Sequence, residues 1–157
     1  MKRPIYYCKS WFRAKKKPTE FWSDEKARAA HLNKHPYTAL VGSAEQPDCF
    51  VNVADNVIGV GFLDSHLRES LTYAFKEVEP GKLFLSMAIH REFVDESDTV
   101  ASGATYTFDQ DGMVQIRREF FQIRRVETSA SSFDPALNYV VKPEFGQYED
   151  LVHIERR

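Results

Sequence analysis

The sequence predicts an α+β fold, a twisted antiparallel β-meander of about six or seven strands with one or two short helices packed on it. Three observations support this class. Apolar side chains recur with period two along residues 83–93. Turn-forming pairs, Pro80-Gly81 and Asp111-Gly112, separate such segments by a few residues, and short connections join antiparallel neighbours. Residues 24–34 have the cap residues of a helix.

Length and composition bound the organisation of the chain. Its 157 residues, 43% hydrophobic and 13% aromatic, suit one domain with an ordinary core. This composition excludes general disorder and a simple coiled coil, and no apolar run approaches the roughly 20 residues that span a bilayer. We expect a single domain over 1–157, with a basic strand, loop and helix in 1–36 and mainly antiparallel sheet in 37–157.

The helix is predicted over residues 24–34. Ser23 can cap its N-terminus, and Asp24 and Glu25 place negative charge where the helix dipole favours it. Pro36 ends it, because the residue before a proline is pushed away from helical angles.

Beyond Pro36 the pattern changes to strands. Segments 49–54 and 57–63 flank a tight turn, and the turn 79–82 joins segment 71–78 to segment 83–93. Along 83–93 one face is predicted to carry the apolar residues Leu83, Leu85, Met87, Ile89 and Phe93. His90 and Glu92 should then lie on the other face.

Residues 66–78 fit two structures. Leu67, Leu71, Ala74 and Val78 would also align along one helical face. The Pro-Gly turn that follows favours a strand, and helix stays the alternative.

The last third of the chain predicts more strands. The turn 109–112 joins segment 103–108 to a long strand over 113–127, whose imperfect alternation indicates a bend or a bulge. Residues 129–135 predict a polar loop, and 139–141 and 151–154 predict short strands.

Charge is distributed unevenly. Residues 1–34 carry ten Lys or Arg against three acidic residues, a balance of +7, whereas residues 35–157 carry a balance of −9. A uniform nucleic-acid binder should be basic throughout, so nucleic acid is an unlikely partner for the body of the chain. In the basic part, aromatic residues interleave with lysines. We interpret this as a strand and loop with buried aromatics and solvated lysines, with base stacking as the alternative.

No motif predicts catalysis, a cofactor or a metal. Gly59-Val-Gly61 lacks the rest of a dinucleotide fingerprint and indicates close strand packing or a bulge. Asp109-Gln-Asp-Gly112 is interpreted as a hairpin turn rather than a calcium loop. His31 and His35 lack the Glu of a zinc helix and predict a surface pair.

The cysteines and the N-terminus predict a cytoplasmic location. Cys8 and Cys49 are far apart and form no disulfide framework. The positive charge at the N-terminus is followed by no apolar segment of the kind found in secretory signals.

Residues 57–150 carry a family resemblance. The segments concerned are Val60-Gly-Phe-Leu-Asp64, Leu67-Arg-Glu69, Glu77-Val-Glu-Pro-Gly-Lys-Leu-Phe-Leu85, Arg91-Glu-Phe93, Phe108-Asp-Gln-Asp-Gly112 and Pro143-Glu-Phe-Gly-Gln-Tyr-Glu149. Together they resemble immunity proteins of bacterial polymorphic-toxin systems, including contact-dependent growth inhibition. The basic N-terminal part lies outside the resemblance.

The resemblance implies a small cytosolic protein that is no enzyme and neutralises one cognate toxin domain by protein–protein contact, without a cofactor or a membrane. A nuclease toxin would suit the acidic body, which could steer association with a basic substrate surface. The candidate partner-binding residues are Glu92, Asp95, Glu96, Asp98, Tyr106, Asp109 and Asp111. The alternatives are a small enzyme with an unrecognised pocket and a nucleic-acid-binding accessory protein that uses the basic N-terminal segment.

Overall fold

The computed structural model describes residues 3–154. Within this range the chain is mostly antiparallel β-sheet with one α-helix. The elements are β1 (Ile5–Cys8), β2 (Trp11–Phe12), β3 (Lys17–Pro18), β4 (Phe21–Trp22), α1 (Asp24–Leu32), β5 (Tyr37–Val41), β6 (Cys49–Val53), β7 (Val57–Leu63), β8 (Glu69–Glu79), β9 (Lys82–Phe93), β10 (Val100–Phe108), β11 (Met113–Phe120), β12 (Arg125–Ser132) and β13 (Tyr139–Val141). Short 3₁₀ turns lie at Arg13–Lys15, Pro135–Asn138 and Glu149–Leu151.

One long sheet dominates the fold. Its strands follow the order β4-β1-β5-β6-β7-β8-β9-β10-β11-β12, and neighbours are antiparallel. From β5 to β12 each strand pairs with the next along the chain, whereas β1 lies between β4 and β5 and β13 returns to β9, so the broad antiparallel class is confirmed but the exact meander differs from the prediction. The predicted number of six or seven strands is too low. β13 pairs with the start of β9, and β2 and β3 form a separate small ladder.

The two faces of the sheet bury different residues. Along β6, Val51 and Val53 join the main core, and we call this side the core face. Phe50, the residue before Val51, lies on the opposite face and packs in a smaller cluster with Trp11 and Leu40. Period-two alternation thus supplies two clusters from one strand.

The core face is covered over only part of its width. Helix α1 packs on β1 and β5 and buries Ala27 and Ala30. The C-terminal segment 143–154 adds the buried side chains of Tyr148 and Leu151 to the same core. We call β1 and β5–β8 with these coverings the covered half.

The strands β10–β12, which we call the open half, are much more exposed. β10 has no fully buried residue, and all eight residues of β12 are exposed. β9 separates the two halves and pairs with both β8 and β10.

The predicted helix is present in a shorter form. The side-chain oxygen of Ser23 accepts a hydrogen bond from the backbone N–H of Lys26 at 3.1 Å, which confirms the N-cap. The helix ends at Leu32, two residues before the predicted end, and Lys34 follows with φ of 58°. The ambiguous residues 66–78 contribute to a strand, β8, rather than to a helix.

The predicted single apolar face of residues 83–93 is wrong beyond Leu85. Phe75 pairs with Leu85, but Ala74 pairs with Met87, so Ser86 is an extra residue in β9. Because such a bulge reverses the alternation, Leu85 faces the core whereas Met87 does not. His90 remains on the face opposite Met87, as predicted.

Three predictions in the last third are wrong. The predicted strand 113–127 is two strands, because the chain reverses at residues 121–124, where Arg124 has φ of 53°. The predicted loop 129–135 contains the second half of β12, whose exposure on both faces accommodates serines. The predicted strand 151–154 is instead part of the covering segment, with Leu151 and Val152 buried.

Candidate functional site

A wide cavity lies on the core face beside the covering segment. It measures about 460 Å³ and reaches from β8 to β12, with Ile154 at its border. Its walls are mainly apolar and aromatic: Tyr73, Leu85, Ala88, Tyr106, Phe108, Val114 and Ile116. We call it the core-face groove. Apolar cavities with a few polar groups are the usual binding sites of proteins.

Polar side chains gather at one end of the groove. The His90 and Tyr106 rings meet edge to face with centroids 5.9 Å apart. Arg118 lies within 3.4 Å of the Tyr106 hydroxyl oxygen, to which its Nη2 donates. His90 and Arg118 also line an adjoining cavity of about 250 Å³ together with Glu92. The groove therefore changes from apolar to charged along its length.

A tight turn sets the register of the groove walls. The Asp109 carboxylate accepts hydrogen bonds from the backbone N–H groups of Asp111 and Met113, each at 3.0 Å. Gly112 has φ of 95°, a left-handed conformation that glycine adopts without strain. This hairpin turn, as predicted, places Tyr106 opposite Ile116.

The tip of the β11–β12 hairpin exposes large apolar side chains. Phe121 is 50% exposed and Ile123 is 67% exposed. Two arginines of the hairpin are paired with carboxylates, since Arg117 lies 3.0 Å from Glu119 and Arg125 lies 2.7 Å from Glu127. Exposed apolar groups beside arginines are typical of protein-binding surfaces.

The predicted partner-binding residues do not form one patch. Tyr106 lines the groove, and Glu92 lies at its charged end. Asp95, Glu96 and Asp98 follow β9 in the loop 94–99, whereas Asp109 and Asp111 follow β10 at its other end. A nine-residue strand is about 30 Å long, so β10 separates these two acidic groups.

The loop 94–99 also meets the basic N-terminal segment. Lys16 Nζ lies 2.8 Å from an Asp98 carboxylate oxygen, although the two residues are distant in sequence. The charge asymmetry of the sequence is therefore partly compensated in the folded chain. Within this segment Trp11 is buried, as predicted for its aromatics, but Phe12 and Phe21 are exposed.

Residues that carry the family resemblance meet beside this loop. Arg68 Nε donates to the Asp64 carboxylate at 2.8 Å, and its guanidinium lies 4.6 Å from the centre of the Phe93 ring. Arg68 also donates to the carbonyl oxygens of Asp95 and Ser97. Burial raises the pKa of Asp64, but hydrogen bonds from Arg68 and the backbone outweigh it and hold the pKa below its usual value. These contacts fix the loop 94–99 to the sheet.

The opposite face carries a buried carboxylate. Glu69 accepts a hydrogen bond from Arg13 at 3.0 Å, bonds to Thr72, and lies 3.7 Å from Arg91 Nη1. These groups border a cavity of about 290 Å³ that also contacts Trp11. Because the carboxylate already accepts hydrogen bonds from Arg13 and Thr72 and forms an ion pair with Arg91, the cluster is an internal ion-pair network.

The glycines of the sequence Gly59-Val-Gly61 differ in their surroundings. A Cβ added to Gly61 would overlap the ring of Phe50, whereas at Gly59 the nearest atom is 4.0 Å away. The predicted close packing is therefore confirmed at Gly61.

A tyrosine cluster fastens the covering segment to the sheet. The Tyr37 hydroxyl lies 2.7 Å from that of Tyr148 and 2.8 Å from His31 Nδ1, and Tyr7 stacks on Phe145 at 4.8 Å. Burial raises the pKa of Tyr37 to about 12 and lowers the pKa of His31. The predicted surface pair His31–His35 is therefore half wrong, because His31 is part of this cluster.

Within residues 3–154, no three His, Cys, Asp or Glu side chains lie together in a way that could hold a metal ion. No helix of the described chain has the length and apolar character needed to span a bilayer. Comparison with family models, curated proteins and solved structures finds no match for this chain.

Sequence reasoning singled out Tyr106 but missed most of the groove. The sequence pattern places Phe108, Val114 and Ile116 on strands and assigns them to no site. Their signal was available in the turn 109–112, which predicts that Val114 and Ile116 lie on the same face as Phe108 and Tyr106. The reversal at 121–124 carries no Gly, Pro, Asn or Asp, so β12 could not be foreseen.

Proposed function

We propose that this protein is an immunity-type inhibitor that binds and neutralises a cognate bacterial toxin domain through the open half of its sheet. The observation that carries the proposal is the core-face groove, a large apolar cavity with Tyr106, His90 and Arg118 at its charged end. Tyrosine and arginine beside desolvated apolar pockets are the groups that contribute most to protein–protein binding.

The exposure of the open half supports a macromolecular partner. Three apolar side chains of the β11–β12 hairpin are at least half exposed, namely Phe121, Ile123 and Val126. Leaving them in water costs the stability that their burial would give, roughly 25 cal/mol per Å². A partner surface that covers the hairpin and the groove together would recover this free energy on binding.

A nuclease is the toxin class that the charge favours. Residues 35–157 carry a balance of −9, and three of the acidic groups lie in the loop 94–99 beside the charged end of the groove. Complementary charge accelerates association, and salt screens this effect. Association with the toxin domain should therefore slow markedly between low and physiological salt.

Co-expression with the toxin domain encoded next to this protein's gene tests the proposal. We expect the wild-type chain to restore growth and to copurify with the toxin domain. Ile116→Arg, which places a charge in the groove, should abolish both effects. Gln115→Arg is the matched control, because Gln115 is the exposed neighbour on the other face of β11.

Thermal melting of both purified variants should show that they fold. Growth arrest in the presence of the wild-type chain, together with no complex on copurification, would contradict the proposal. Equal loss of rescue in folded Ile116→Arg and Gln115→Arg would contradict the assignment of the groove as the binding site.

A further inference from the structure

The outer edge of β12 offers a row of backbone hydrogen-bonding groups. β12 pairs with β11 over all eight residues, from Met113 opposite Ser132 to Phe120 opposite Arg125. Among residues 3–154 no strand pairs with its other edge. Every second residue of an edge strand directs its N–H and C=O away from the sheet, so about four residues of β12 present both groups outward.

This edge lacks the features that usually prevent strand addition. Natural sheets protect their edges with short strands, prolines, lysines or bulges. The edge at the far end of this sheet is protected in this way, because β4 has only two residues. β12 has eight residues without Pro or Lys, and its register with β11 has no shift. Its residues Thr128 to Ser132 carry no charge.

The side chains of β12 leave the groove accessible from this edge. Ser129 lies opposite Ile116 and Ser131 opposite Val114, so the core face of β12 carries only small side chains beside the apolar wall. A further strand would lie about 10 Å from β11, since neighbouring strands are about 4.8 Å apart. Large side chains on such a strand could pass over the two serines and reach the groove.

The charge of the hairpin indicates the charge of the segment that would pair with this edge, as distinct from the rest of the partner's surface. Residues 113–132 contain four arginines and two glutamates, a balance of +2. Both glutamates are paired, with Arg117 and Arg125. Arg124, at the tip, has no ion pair with a described carboxylate. An acidic segment therefore complements this edge better than a basic one.

From these observations we infer that β12 binds an extended segment of the partner as an additional strand of the sheet. The segment alternates large apolar side chains, which enter the groove over Ser129 and Ser131, with small ones, and carries acidic residues. This mode gains affinity from main-chain hydrogen bonds and specificity from alternate side chains. It rests on the proposed function only for the identity of the partner as a toxin domain.

The inference is tested with a synthetic peptide, acetyl-Glu-Phe-Thr-Phe-Thr-Phe-Glu-amide, added to the full ¹⁵N-labelled chain. We expect chemical-shift changes at the amides of β12 and at the groove residues Val114 and Ile116. A control peptide with serine in place of the three phenylalanines should bind at least about tenfold more weakly, which is 1.4 kcal/mol. Shift changes confined to other elements, or none at millimolar peptide, would overturn the inference.

Proline variants separate edge pairing from simple groove binding. Ser129→Pro and Ala130→Pro change neighbouring positions, of which one directs its N–H outward and the other toward β11. Phe133 N–H donates to the Gly112 carbonyl oxygen, and bonded pairs alternate along the ladder, so Ser129 donates toward β11 and Ala130 outward. Ala130→Pro therefore removes only an outward donor, and that variant should bind the peptide at least about tenfold more weakly. Unchanged affinity in that variant would contradict strand addition.

If both proline variants unfold, the chemical-shift changes of the wild-type chain distinguish strand addition from groove binding. Groove binding alone would leave the chemical shifts of the β12 amides unchanged. The peptide experiment contains no toxin domain. Its failure would thus leave a positive co-expression result standing, and failure of co-expression would leave strand addition standing.

Discussion

The covered and open halves of this sheet use the same antiparallel ladder but bury very different amounts of side chain. In the covered half, Tyr37, Phe75 and Tyr148 are at most 1% exposed beneath α1 and the C-terminal segment. In the open half, Val114 is the one fully buried side chain of β10–β12. Since burial of apolar surface supplies most folding free energy, the covered half stabilises the fold and the open half remains available for binding.

Truncation of aromatic residues in the two halves gives the largest expected contrast. Phe75→Ala removes a fully buried ring and should reduce the free energy of unfolding by roughly 3–5 kcal/mol. Phe121→Ala removes a half-exposed ring from the hairpin tip and should change it by less than about 1 kcal/mol. Urea denaturation of both variants measures the difference. Similar costs at the two positions would refute the division into halves.

The two glycines of β7 sharpen the comparison inside the covered half. Gly61→Ala places a methyl group against the Phe50 ring, which is itself packed on Trp11, and should cost about 1–3 kcal/mol. Gly59→Ala meets no such obstacle and should stabilise the chain by about 0.5 kcal/mol through the unfolded state. The urea midpoint of Gly61→Ala should therefore fall and that of Gly59→Ala should rise. A rise in both variants would show that the Phe50 ring moves aside for the added methyl group.

A smaller change in stability is expected from His31, which lies where the covering segment contacts the sheet. The pKa of His31 is lowered in the folded chain, mainly by burial and also by Lys142 and Arg28. As pH falls below about 6.5, the unfolded chain binds a proton at this position more readily than the folded one, so part of the stability is lost. Urea midpoints at pH 7.5 and about 5.5 should differ less in His31→Gln than in the wild-type chain.

His35→Gln is the matched control, because His35 lies three residues beyond the end of the same helix with an exposed side chain. It should retain the pH dependence of the wild-type chain. A wild-type pH dependence in His31→Gln would contradict the assigned role of His31.

The predictable parts of this fold are those with local signals. Ser23, Pro80-Gly81 and Asp109 with Gly112 each determine the backbone within a few residues, so the helix cap and two turns were predicted from sequence. The reversal at 121–124 has no such residue, and β12 was missed with it. The bulge at Ser86 depends on pairing with β8, a contact between strands that alternation within one strand does not encode.

In the candidate site, too, residue types are predictable from the sequence but contacts between distant segments are not. Tyr106 and Glu92 were selected by residue type, and they do lie at one site. The acidic residues of the two loops were grouped because they are near in sequence, but β10 places them at its opposite ends. The groove itself is lined by five strands and the C-terminal segment, from Tyr73 of β8 to Ile154, and no local pattern marks how segments so distant in sequence come together.

Hydrogen exchange of the chain alone and in complex with the proposed toxin domain tests the central claim most directly. In the free chain, amides of β5–β8 should exchange slowly and those of β11–β12 should exchange through local opening. In the complex, new protection should be confined to β10–β12 and the groove residues of β9. New protection centred on α1 or β4, with β11 and β12 unchanged, would contradict binding through the open half.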